Sequence, residues 1–492
     1  MKKTLLFCFL AFAVYHSKAQ YSFNPSFGNG SGYSYLFFLD GNQPIGNQDD
    51  FCKKLIKLPN GNILVVGSMR FQLNGDDLDY GYFEINAFGQ DLNHQQFGTA
   101  NDEYLEDALV LDNVLYFCGS SADASGFKSA MIGKVDLATN TTQIEIIPTS
   151  GQSYLSGITT DGTSLYYCGN SNESFNNEGF TLKTDQNLVT DNTYGFGGTN
   201  FTSFHLNSVD GEYFNDIIYL SDNNLLVAGY TMYNTNYAAA LLKVNKTNGD
   251  GTPGFTSISA SNVSTDYSFY SIAESLIDNS IVAVGVGYFA TEPSGIIGVY
   301  NLDGTVKHAP VAHSCEKLID VTISNERIVA TGYDGPEAFI VSRLLPNFSS
   351  DTDFNFTDGT DHFLTTVNSN GATSIKGETA LIDGDNLYVG GSFSNLWVIG
   401  NTSLAVSKYT SNGVGISENN SNTDFSVFPN PVVDVLNIES KNQQVESIEI
   451  LNQIGQVVKS TTNSYSIDCS DLKSGSYFIR VNKNEVSKFN KL

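Results

Sequence analysis

Short runs of apolar and aromatic residues that end in glycine recur along most of the chain, at 63–67, 114–119, 165–169, 225–229, 281–285, 328–332 and 387–391. A turn rich in Gly, Asn or Asp precedes most of them, and an alternating segment such as 239–244 follows. An apolar run of this length is typical of a strand buried on both faces. The terminal glycine, which has no side chain, indicates a close approach of backbone.

The runs are spaced roughly 47 to 60 residues apart, which is at or slightly above the range of propeller blades. Each repeat has room for four short strands, and the weak fourth strand often ends in an aromatic residue and Gly, as at 97–98. Four strands per repeat are the signature of a β-propeller blade. The pattern therefore predicts an all-β chain with a seven-bladed β-propeller over residues 20–413.

The two ends of the repeat region are complementary. Residues 23–30 look like the end of a repeat, although no repeat precedes them, and the last repeat stops near residue 413 without a fourth strand. An open sheet edge is a liability that a terminal strand can remove. We therefore expect residues 21–30 to complete the seventh blade.

The repeat resembles the delta-60 family of β-propeller repeats. The shared features are an Asn-Gly or Asp-Gly turn, an apolar run that ends in Gly, an alternating strand and a closing Phe-Gly. The copies lack the Arg that the family often carries in its third strand. The resemblance implies the propeller fold over residues 21–413, but it implies no activity, because propellers host many unrelated functions.

A different pattern begins after the polar stretch 414–423, which is typical of a linker. Alternating strands are separated by turns, and the first turn is Pro-Asn-Pro. These features predict a small Ig-like β-sandwich over residues 424–492. Its distinctive positions are Phe428, Pro429, Asn430, Pro431, Asp434, Gly455, Gly475, Tyr477, Lys488 and Lys491.

In order and spacing, these positions resemble the type A C-terminal sorting domain of type IX secretion cargo. The resemblance implies that the type IX machinery is a partner and carries the protein across the outer membrane. It also implies a Bacteroidota source and removal of the domain, followed by release or attachment at the cell surface. The expected location is therefore extracellular or on the outer cell surface.

The opening residues fit the same route. Two lysines are followed by a short apolar stretch at 5–14 and then by small residues, and this order is typical of a secretory signal peptide. We expect a signal peptide over residues 1–19, with cleavage between Ala19 and Gln20. The apolar stretch is too short to span a bilayer, and no other stretch approaches that length, so we expect no transmembrane segment in the mature chain.

Composition narrows the class of partner. The chain has 52 Asp and Glu against 25 Lys and Arg, a formal net charge of −27. Such a chain repels nucleic acid and is disfavoured at an anionic membrane. Five cysteines remain after residue 19, at widely spaced positions, and they do not form a disulfide framework. At most one pair is expected, and buried thiols are the default, for Cys52, Cys118, Cys168, Cys315 and Cys469.

Candidate ligand-binding residues are few. We expect no cofactor, but an acidic loop offers alternating oxygen donors that suit Ca²⁺, at Asp351, Asp353, Asn355, Asp358 and Asp361. A solvated turn is the alternative for this loop and for the cluster at 76–79. Tyr230, Tyr233 and Tyr237 follow an inner strand and could stack on sugars, although packing is the commoner role of such rings.

No catalytic motif stands out, because the chain lacks G-x-S-x-G, P-loop, H-E-x-x-H and dinucleotide-binding patterns. The first hypothesis is a non-enzymatic module that binds a glycan or a protein. An alternative is a hydrolase or lyase that acts on polysaccharide at the propeller's channel mouth, where carboxylates from different blades would meet. A third hypothesis is a structural surface-layer protein. A cluster of inward Asp, Glu or His would favour the enzyme.

Overall fold

The computed structural model describes residues 20–24, 26–28, 33–36, 39–40, 43–44, 50–70, 77–149, 151–172, 177–195, 198–201, 211–233, 236–259, 266–276, 278–289, 292–313, 315–324, 327–334, 338–344, 363–365, 375–394, 402–412, 425–440, 444–452, 457–473, 475–482 and 485–491. Every regular element in these ranges is a β-strand, which confirms the all-β prediction. The chain divides into two compact units, Met1–Gly413 and Val414–Leu492.

The first unit begins with four short strands: β1 (Gln20–Phe23), β2 (Tyr33–Leu36), β3 (Leu39–Asp40) and β4 (Gln43–Pro44). Four-stranded antiparallel sheets follow. Sheet 1 contains β5 (Phe51–Lys57), β6 (Ile63–Arg70), β7 (Leu78–Ile85) and β8 (Asp91–Phe97). Sheet 2 contains β9 (Asp102–Leu111), β10 (Val114–Ala122), β11 (Lys128–Asp136) and β12 (Thr141–Ile146). Sheet 3 contains β13 (Ser153–Thr160), β14 (Ser164–Ser171), β15 (Glu178–Asp185) and β16 (Thr199–Phe201).

The remaining sheets of this unit repeat the same plan. Sheet 4 contains β17 (Glu212–Tyr219), β18 (Leu225–Tyr233), β19 (Asn236–Val244) and β20 (Gly251–Ser259). Sheet 5 contains β21 (Tyr267–Ser275), β22 (Ser280–Phe289), β23 (Glu292–Asn301) and β24 (Val306–Ala312). Sheet 6 contains β25 (Lys317–Ser324), β26 (Arg327–Asp334), β27 (Ala338–Leu344) and β28 (Phe363–Thr365). Sheet 7 contains β29 (Ile375–Asp383), β30 (Asn386–Ser394), β31 (Thr402–Asn412), and also β1 and β2.

Neighbouring sheets pack against each other through their first strands. Strand β5 contacts β9, β9 contacts β13, and the series continues through β17, β21, β25 and β29. Strand β29 of sheet 7 in turn contacts β5 of sheet 1. Apolar clusters fill the spaces between sheets: one joins Leu64 and Val66 of sheet 1 to Phe117 of sheet 2, and another joins Val65 of sheet 1 to Tyr388 of sheet 7.

The amino-terminal strand belongs to the last sheet of the unit. Strand β1 pairs antiparallel with β31, so that Gln20 lies opposite Asn412 and Phe23 lies opposite Tyr409. The backbone N–H of Asn24 extends this contact by donating to the carbonyl of Lys408 at 3.0 Å. Residues almost four hundred positions apart therefore share one ladder.

Each first strand contains a β-bulge at the same place. In sheet 1, Cys52 pairs with Gly67 and Lys54 pairs with Val66, so Lys53 is left out of the ladder. The repeat glycine is required here, because a Cβ added to Gly67 would lie 1.8 Å from the carbonyl oxygen of Phe51. The glycine that ends each apolar run thus permits the backbone approach that accompanies the bulge.

The second unit has two antiparallel sheets of three and four strands. One contains β32 (Phe425–Phe428), β33 (Val435–Ser440) and β36 (Ser466–Asp468). The other contains β34 (Ser447–Leu451), β35 (Val457–Thr462), β37 (Gly475–Val481) and β38 (Glu485–Lys491). Their facing side chains, including Leu436, Ile450 and Phe489, form one buried core.

Several sequence predictions lie outside the described residues. These are the signal peptide with Ala19, the linker at 414–423, Gly455, and the proposed calcium loop with Asp351, Asp353, Asn355, Asp358 and Asp361.

Candidate functional site

The residues left out of the ladders by the bulges come together. Each of the seven first strands contributes one: Lys53, Glu106, Ser156, Asn215, Tyr270, Ile319 and Glu378. All of them line one cavity with a volume of about 320 Å³, here called the shared cavity. A bulge re-aims a side chain, and seven bulges at equivalent positions aim seven side chains at the same space.

Charged groups of both signs line the shared cavity. It holds the ammonium groups of Lys53, Lys54 and Lys317, together with five carboxylates, those of Glu106, Asp107, Asp216, Asp320 and Glu378. Lys53 Nζ lies 2.9 Å from Glu106 Oε2, and Lys54 Nζ lies 2.9 Å from Asp107 Oδ1. Both ion pairs join sheet 1 to sheet 2.

The carboxylates keep the two lysines protonated. Burial alone would lower the pKa of Lys54, but the negative charges of Asp107, Asp320 and Asp216 outweigh burial and raise its pKa above the ordinary value. The negative charges of Glu106 and Glu378 likewise outweigh burial and raise the pKa of Lys53. Each ammonium group is therefore a fixed positive charge in the shared cavity.

Three of the carboxylates also bridge adjacent sheets. Asp107 Oδ2 accepts a hydrogen bond from the backbone N–H of Ile158 at 3.1 Å. In the same way, Asp216 accepts from the backbone N–H of Ile272 at 2.9 Å, and Asp320 accepts from the backbone N–H of Ala380 at 3.1 Å. These bridges join sheet 2 to 3, 4 to 5 and 6 to 7.

Uncharged side chains bridge the other sheets. The backbone N–H of Leu105 donates to Ser68 Oγ at 2.7 Å, and that of Phe214 donates to Asn170 Oδ1 at 2.7 Å. The backbone N–H of Val321 donates to Ser271 Oγ at 3.3 Å, and that of Cys52 donates to Ser392 Oγ at 3.2 Å. The last of these contacts joins sheet 7 to sheet 1. Each pair of successive sheets is thus tied by a side chain that accepts a hydrogen bond from the backbone of a first strand, which stabilises the walls of the shared cavity.

Asp216 has an unusual acidity for a carboxyl group. Burial, followed by the negative charge of Asp107, raises its pKa to about 6, although the positive charge of Lys54 and the N–H of Ile272 act in the opposite direction. A group with this pKa exchanges its proton close to neutral pH, which is the property of a general acid or base.

Two tyrosine rings form part of the wall of the shared cavity, and further rings stack on sheet 4. Tyr154 and Tyr270 line the shared cavity, and Lys317 Nζ lies 3.6 Å from the centroid of the Tyr270 ring. On sheet 4, the rings of Tyr213 and Tyr230 stack with centroids 4.6 Å apart.

Of the three predicted sugar-stacking tyrosines, two are in contact with each other. Tyr237 meets Tyr230 edge-on at 5.0 Å and is 39% exposed. The side chain of Tyr233, the third, is not among those described.

The five cysteines of the described residues are buried, and no two of them form a disulfide. Burial raises the pKa of the Cys118 and Cys168 thiols, which keeps both protonated. Within the described ranges, no group of three His, Cys, Asp or Glu side chains could hold a metal ion.

In the second unit, the predicted sorting positions meet the last strand. Asn430 Oδ1 accepts a hydrogen bond from the backbone N–H of Asn490 at 2.9 Å, and the N–H of Val432 donates to the carbonyl of Asn490. The ring of Tyr477 stacks on Phe489 at 5.9 Å.

The other sorting positions differ in exposure and conformation. Phe428 and Asp434 are exposed, Lys491 is buried, and Gly475 has a φ of 156°.

Comparison with known proteins identifies this second unit. Residues 426–492 match the secretion system C-terminal sorting domain. The match confirms the predicted sorting domain and supports export by the type IX secretion system to the cell surface. No curated protein matches the chain. The described residues include no helix suited to crossing a membrane.

Solved structures resemble the chain only distantly. The extracellular domain of a hybrid two-component system from B. thetaiotaomicron is 13% identical, with 93% of this chain and 58% of that one covered and a TM-score of 0.44. Polysaccharide lyase Uly1 is 8% identical, with 77% of this chain and 92% of that one covered and a TM-score of 0.45. Trypanosoma rangeli sialidase is 11% identical, with 66% of this chain and 56% of that one covered and a TM-score of 0.40. The match thus spans less than two thirds of the first and third of these structures.

No motif marks the residues of the shared cavity in the sequence. They do share one signal: each bulged residue stands about 13 to 15 positions before the glycine of its own repeat. Aligning the repeats on that glycine and reading the residues at this offset would have found the cavity.

Proposed function

We propose that the first unit is a seven-bladed β-propeller that works outside the cell as a glycan-binding protein, with the shared cavity as its binding site. The observation that carries this proposal is that every first strand places its bulged residue in one cavity. Binding sites in proteins are concave and combine aromatic surface with a few polar groups that converge.

The propeller interpretation rests on the order of the sheets. Successive sheets meet through their first strands, the seventh meets the first, and β1 and β2 together pair with β31 as the outer strands of sheet 7. Radial repetition of four-stranded sheets is the propeller architecture. The delta-60 resemblance of the repeats supports the same proposal.

The chemistry of the shared cavity suits a sugar. Carboxylates accept the hydrogen bonds that sugar hydroxyls donate, while the amide of Asn215 and the lysines donate to sugar oxygens. The rings of Tyr154 and Tyr270 supply apolar surface of the kind that packs on a sugar face. The volume of about 320 Å³ lies at the small end of ligand sites, which range from about 300 to 1,000 Å³.

The proposal is tested by binding of the full chain to a glycan array, followed by titration of each positive glycan. We expect Asp216→Asn to lower affinity about tenfold, because it removes a charged hydrogen-bond acceptor from the shared cavity. Asp303→Asn is the matched control, since Asp303 lies in the turn between β23 and β24 and does not line the cavity. Absence of binding to any glycan overturns the proposal.

A second candidate function is hydrolysis or elimination of a polysaccharide at the same cavity. The observation that favours it is the pKa of Asp216 of about 6, in a cavity that holds four other carboxylates. Two carboxyl groups of different acidity are the machinery of glycoside hydrolysis. Release of new sugar ends by the wild-type chain, and its loss in Asp216→Asn while binding persists, would establish the enzyme in place of the binding protein.

The export route has its own test. The sorting domain supports passage by the type IX system, and we propose that a signal peptide cleaved between Ala19 and Gln20 precedes it. Sequencing the amino terminus of the secreted protein should give Gln20, and its carboxyl end should lie before residue 426. A secreted protein that retains residues 426–492 contradicts removal of the domain.

A further inference from the structure

A group of tyrosines connects the wall of the shared cavity to the surface of the first unit. Tyr154 and Tyr270 line the cavity. The ring of Tyr230 stacks on that of Tyr213 with centroids 4.6 Å apart, and Tyr237 meets Tyr230 edge-on at 5.0 Å. Burial, and then electrostatic interaction with four neighbouring tyrosines that include both residues of the cavity wall, raise the pKa of Tyr230. Tyr230 therefore lies between the cavity wall and Tyr237.

Two rings of this group are exposed, namely Tyr237 at 39% and Tyr288 at 43%. The backbone N–H of Tyr237 donates to Asp266 Oδ1 at 2.6 Å, and that of Tyr288 donates to the carbonyl of Asp266 at 2.9 Å. Asp266 directly precedes β21, so both exposed tyrosines are held beside the start of the first strand of sheet 5. The name tyrosine platform is used here for Tyr154, Tyr213, Tyr230, Tyr237, Tyr270 and Tyr288.

The second exposed ring is also connected to the cavity wall. Burial, followed by interaction with Tyr333 and Tyr288, raises the pKa of Tyr270 to about 12. Tyr270 contributes the bulged residue of sheet 5, so its position in the cavity is fixed by the ladder between β21 and β22. The tyrosine platform thus reaches the surface at two rings, one from sheet 4 and one from sheet 5.

The tyrosine platform offers two kinds of contact to a ligand. Ring faces pack on apolar surface, and phenol hydroxyls both donate and accept hydrogen bonds. The raised pKa values of Tyr154, Tyr230 and Tyr270 keep these hydroxyls protonated at neutral pH. A sugar ring matches both kinds of contact, because C–H groups cover its faces and hydroxyls extend from its edge. The platform therefore suits a chain of sugars that continues outward from the shared cavity.

Charge selects against acidic glycans at this surface. Five carboxylates and three ammonium groups are among the described lining residues of the shared cavity, and the chain as a whole has a formal net charge of −27. Lys53 and Lys54 each belong to an ion pair, and Lys317 Nζ lies 3.6 Å from the centroid of the Tyr270 ring. A polyanion is repelled by such a field, whereas an uncharged glycan is not.

We propose that the ligand is an uncharged polysaccharide whose terminal sugar lies in the shared cavity and whose next sugars lie on the tyrosine platform. Tyr154 and Tyr270 contact the terminal sugar, and Tyr237 and Tyr288 pack on the sugars that follow. This inference rests on the proposed glycan-binding function. It adds the chemical class of the ligand and the direction in which the sugar chain leaves the cavity.

The first test compares oligomers of glucose, mannose, xylose and galacturonate, each one to six sugars long, by calorimetry on the full chain. Any other glycan that binds on the array is titrated over the same lengths. We expect a neutral series to bind, with an affinity that rises about tenfold from the monosaccharide to the tetramer and does not change with added salt.

The outcomes of this test separate the two proposals. Tightest binding of an acidic series, or an affinity that does not rise with length, overturns the inference and leaves glycan binding intact. If no glycan binds on the array or in the calorimeter, the proposed glycan-binding function fails as well.

Variants of the exposed rings test the tyrosine platform itself. Tyr237→Ala should lower the ratio of tetramer to monosaccharide affinity from about tenfold to about threefold or less, whereas Tyr237→Phe keeps the ring and should preserve the ratio. Tyr288→Ala should lower the ratio in the same direction. Phe88→Ala is the matched control, because Phe88 is an exposed aromatic residue in the turn between β7 and β8 and is not among the lining residues of the cavity. If Tyr237→Ala and Tyr288→Ala both leave the ratio unchanged, the platform does not hold a sugar.

Discussion

Asp216 Oδ2 lies 2.9 Å from the backbone nitrogen of Ile272 and accepts its hydrogen bond. Asp216 belongs to the first strand of sheet 4 and Ile272 to the first strand of sheet 5, so a carboxylate that lines the shared cavity also joins two sheets. Asp107 and Asp320 have the same double position. The residues that would bind a ligand are therefore part of the scaffold that holds the cavity open.

Because Asp216 both lines the cavity and joins two sheets, we expect two substitutions at residue 216 to lower the free energy of unfolding by different amounts. Asp216→Ala leaves the N–H groups of Ile217 and Ile272 without their acceptors, which should cost about 1 to 3 kcal/mol. Asp216→Asn keeps an acceptor oxygen for one of them and should cost less. Chemical denaturation of both variants measures the difference, and equal stability of the two variants contradicts the bridging role.

A second carboxyl group gives the stability a pH dependence. Asp79 of sheet 1 is buried beside Glu103 of sheet 2, and Gln96 Nε2 donates to Asp79 Oδ2. Burial, the close carboxyl group of Glu103 and the nearby charge of Asp77 raise the pKa of Asp79 from 3.8 to about 7.

The direction of the pH effect follows from this raised pKa. Between about pH 4 and 7 the folded chain keeps a proton that the unfolded chain has lost, so the free energy of unfolding should fall as the pH rises through this interval. Asp79→Asn should flatten that slope and be the more stable protein above pH 7, by on the order of 1 kcal/mol. Asp303→Asn, an exposed turn residue, should keep the wild-type slope. Chemical denaturation at several pH values measures how the free energy of unfolding changes with pH. An unchanged slope in Asp79→Asn contradicts the raised pKa of Asp79.

The repeat glycine offers a steric prediction. A Cβ added to Gly229 would lie 1.8 Å from the carbonyl oxygen of Tyr213, so Gly229→Ala must displace backbone. We expect a loss of about 3 kcal/mol or more, or failure to fold. Gly162→Asn is the control, because Gly162 has open space around it and a φ of 85° that Asn tolerates. Similar melting temperatures for the two variants would show that the close approach is relaxed at little cost.

Strand β1 should contribute to the stability of sheet 7. A chain that begins at residue 25 loses the ladder between β1 and β31 and exposes the edge of β31 over residues 409–412, so its melting temperature should drop by several degrees. A chain that begins at residue 20 and carries Ser22→Ala keeps the ladder and should melt like the wild type. Calorimetry compares the three proteins, and an unchanged melting temperature of the shortened chain would refute the role of β1.

The free thiols predict a reactivity pattern. Because all five are buried and burial raises the pKa of groups such as Cys118 and Cys168, a folded chain that begins at residue 20 should react slowly with a thiol reagent. After unfolding without reductant, the same chain should titrate five thiols. Fewer thiols would mean that a disulfide forms in the secreted protein.

Local patterns were sufficient to predict much of the fold. The apolar runs that end in Gly67 and Gly229 became the buried second strands β6 and β18, because a strand covered on both faces has to be apolar throughout. Residues 21–30 were expected to complete the last repeat, and the strand that pairs with β31 there is β1 at Gln20–Phe23, which overlaps only the start of that segment.

The site could not be predicted in the same way. Lys54, Asp107 and Asp216 are roughly 50 to 160 positions apart, and only the packing of the sheets brings them together. Their bulges depend on the register between two strands, which a one-dimensional pattern does not contain. The tyrosines predicted to follow an inner strand lie within strands instead: Tyr230 and Tyr237 belong to β18 and β19, where their rings are in contact, and neither lines the shared cavity.

The ladder between Gln20–Phe23 and Thr402–Asn412 orders events during biosynthesis. Because a ribosome delivers residue 412 nearly last, sheet 7 stays incomplete, with a vacant edge, until almost the whole repeat region has been made. The segment that matches the sorting domain starts only at residue 426. The sorting domain of a nascent chain therefore emerges only after every described strand of the first unit has already been made.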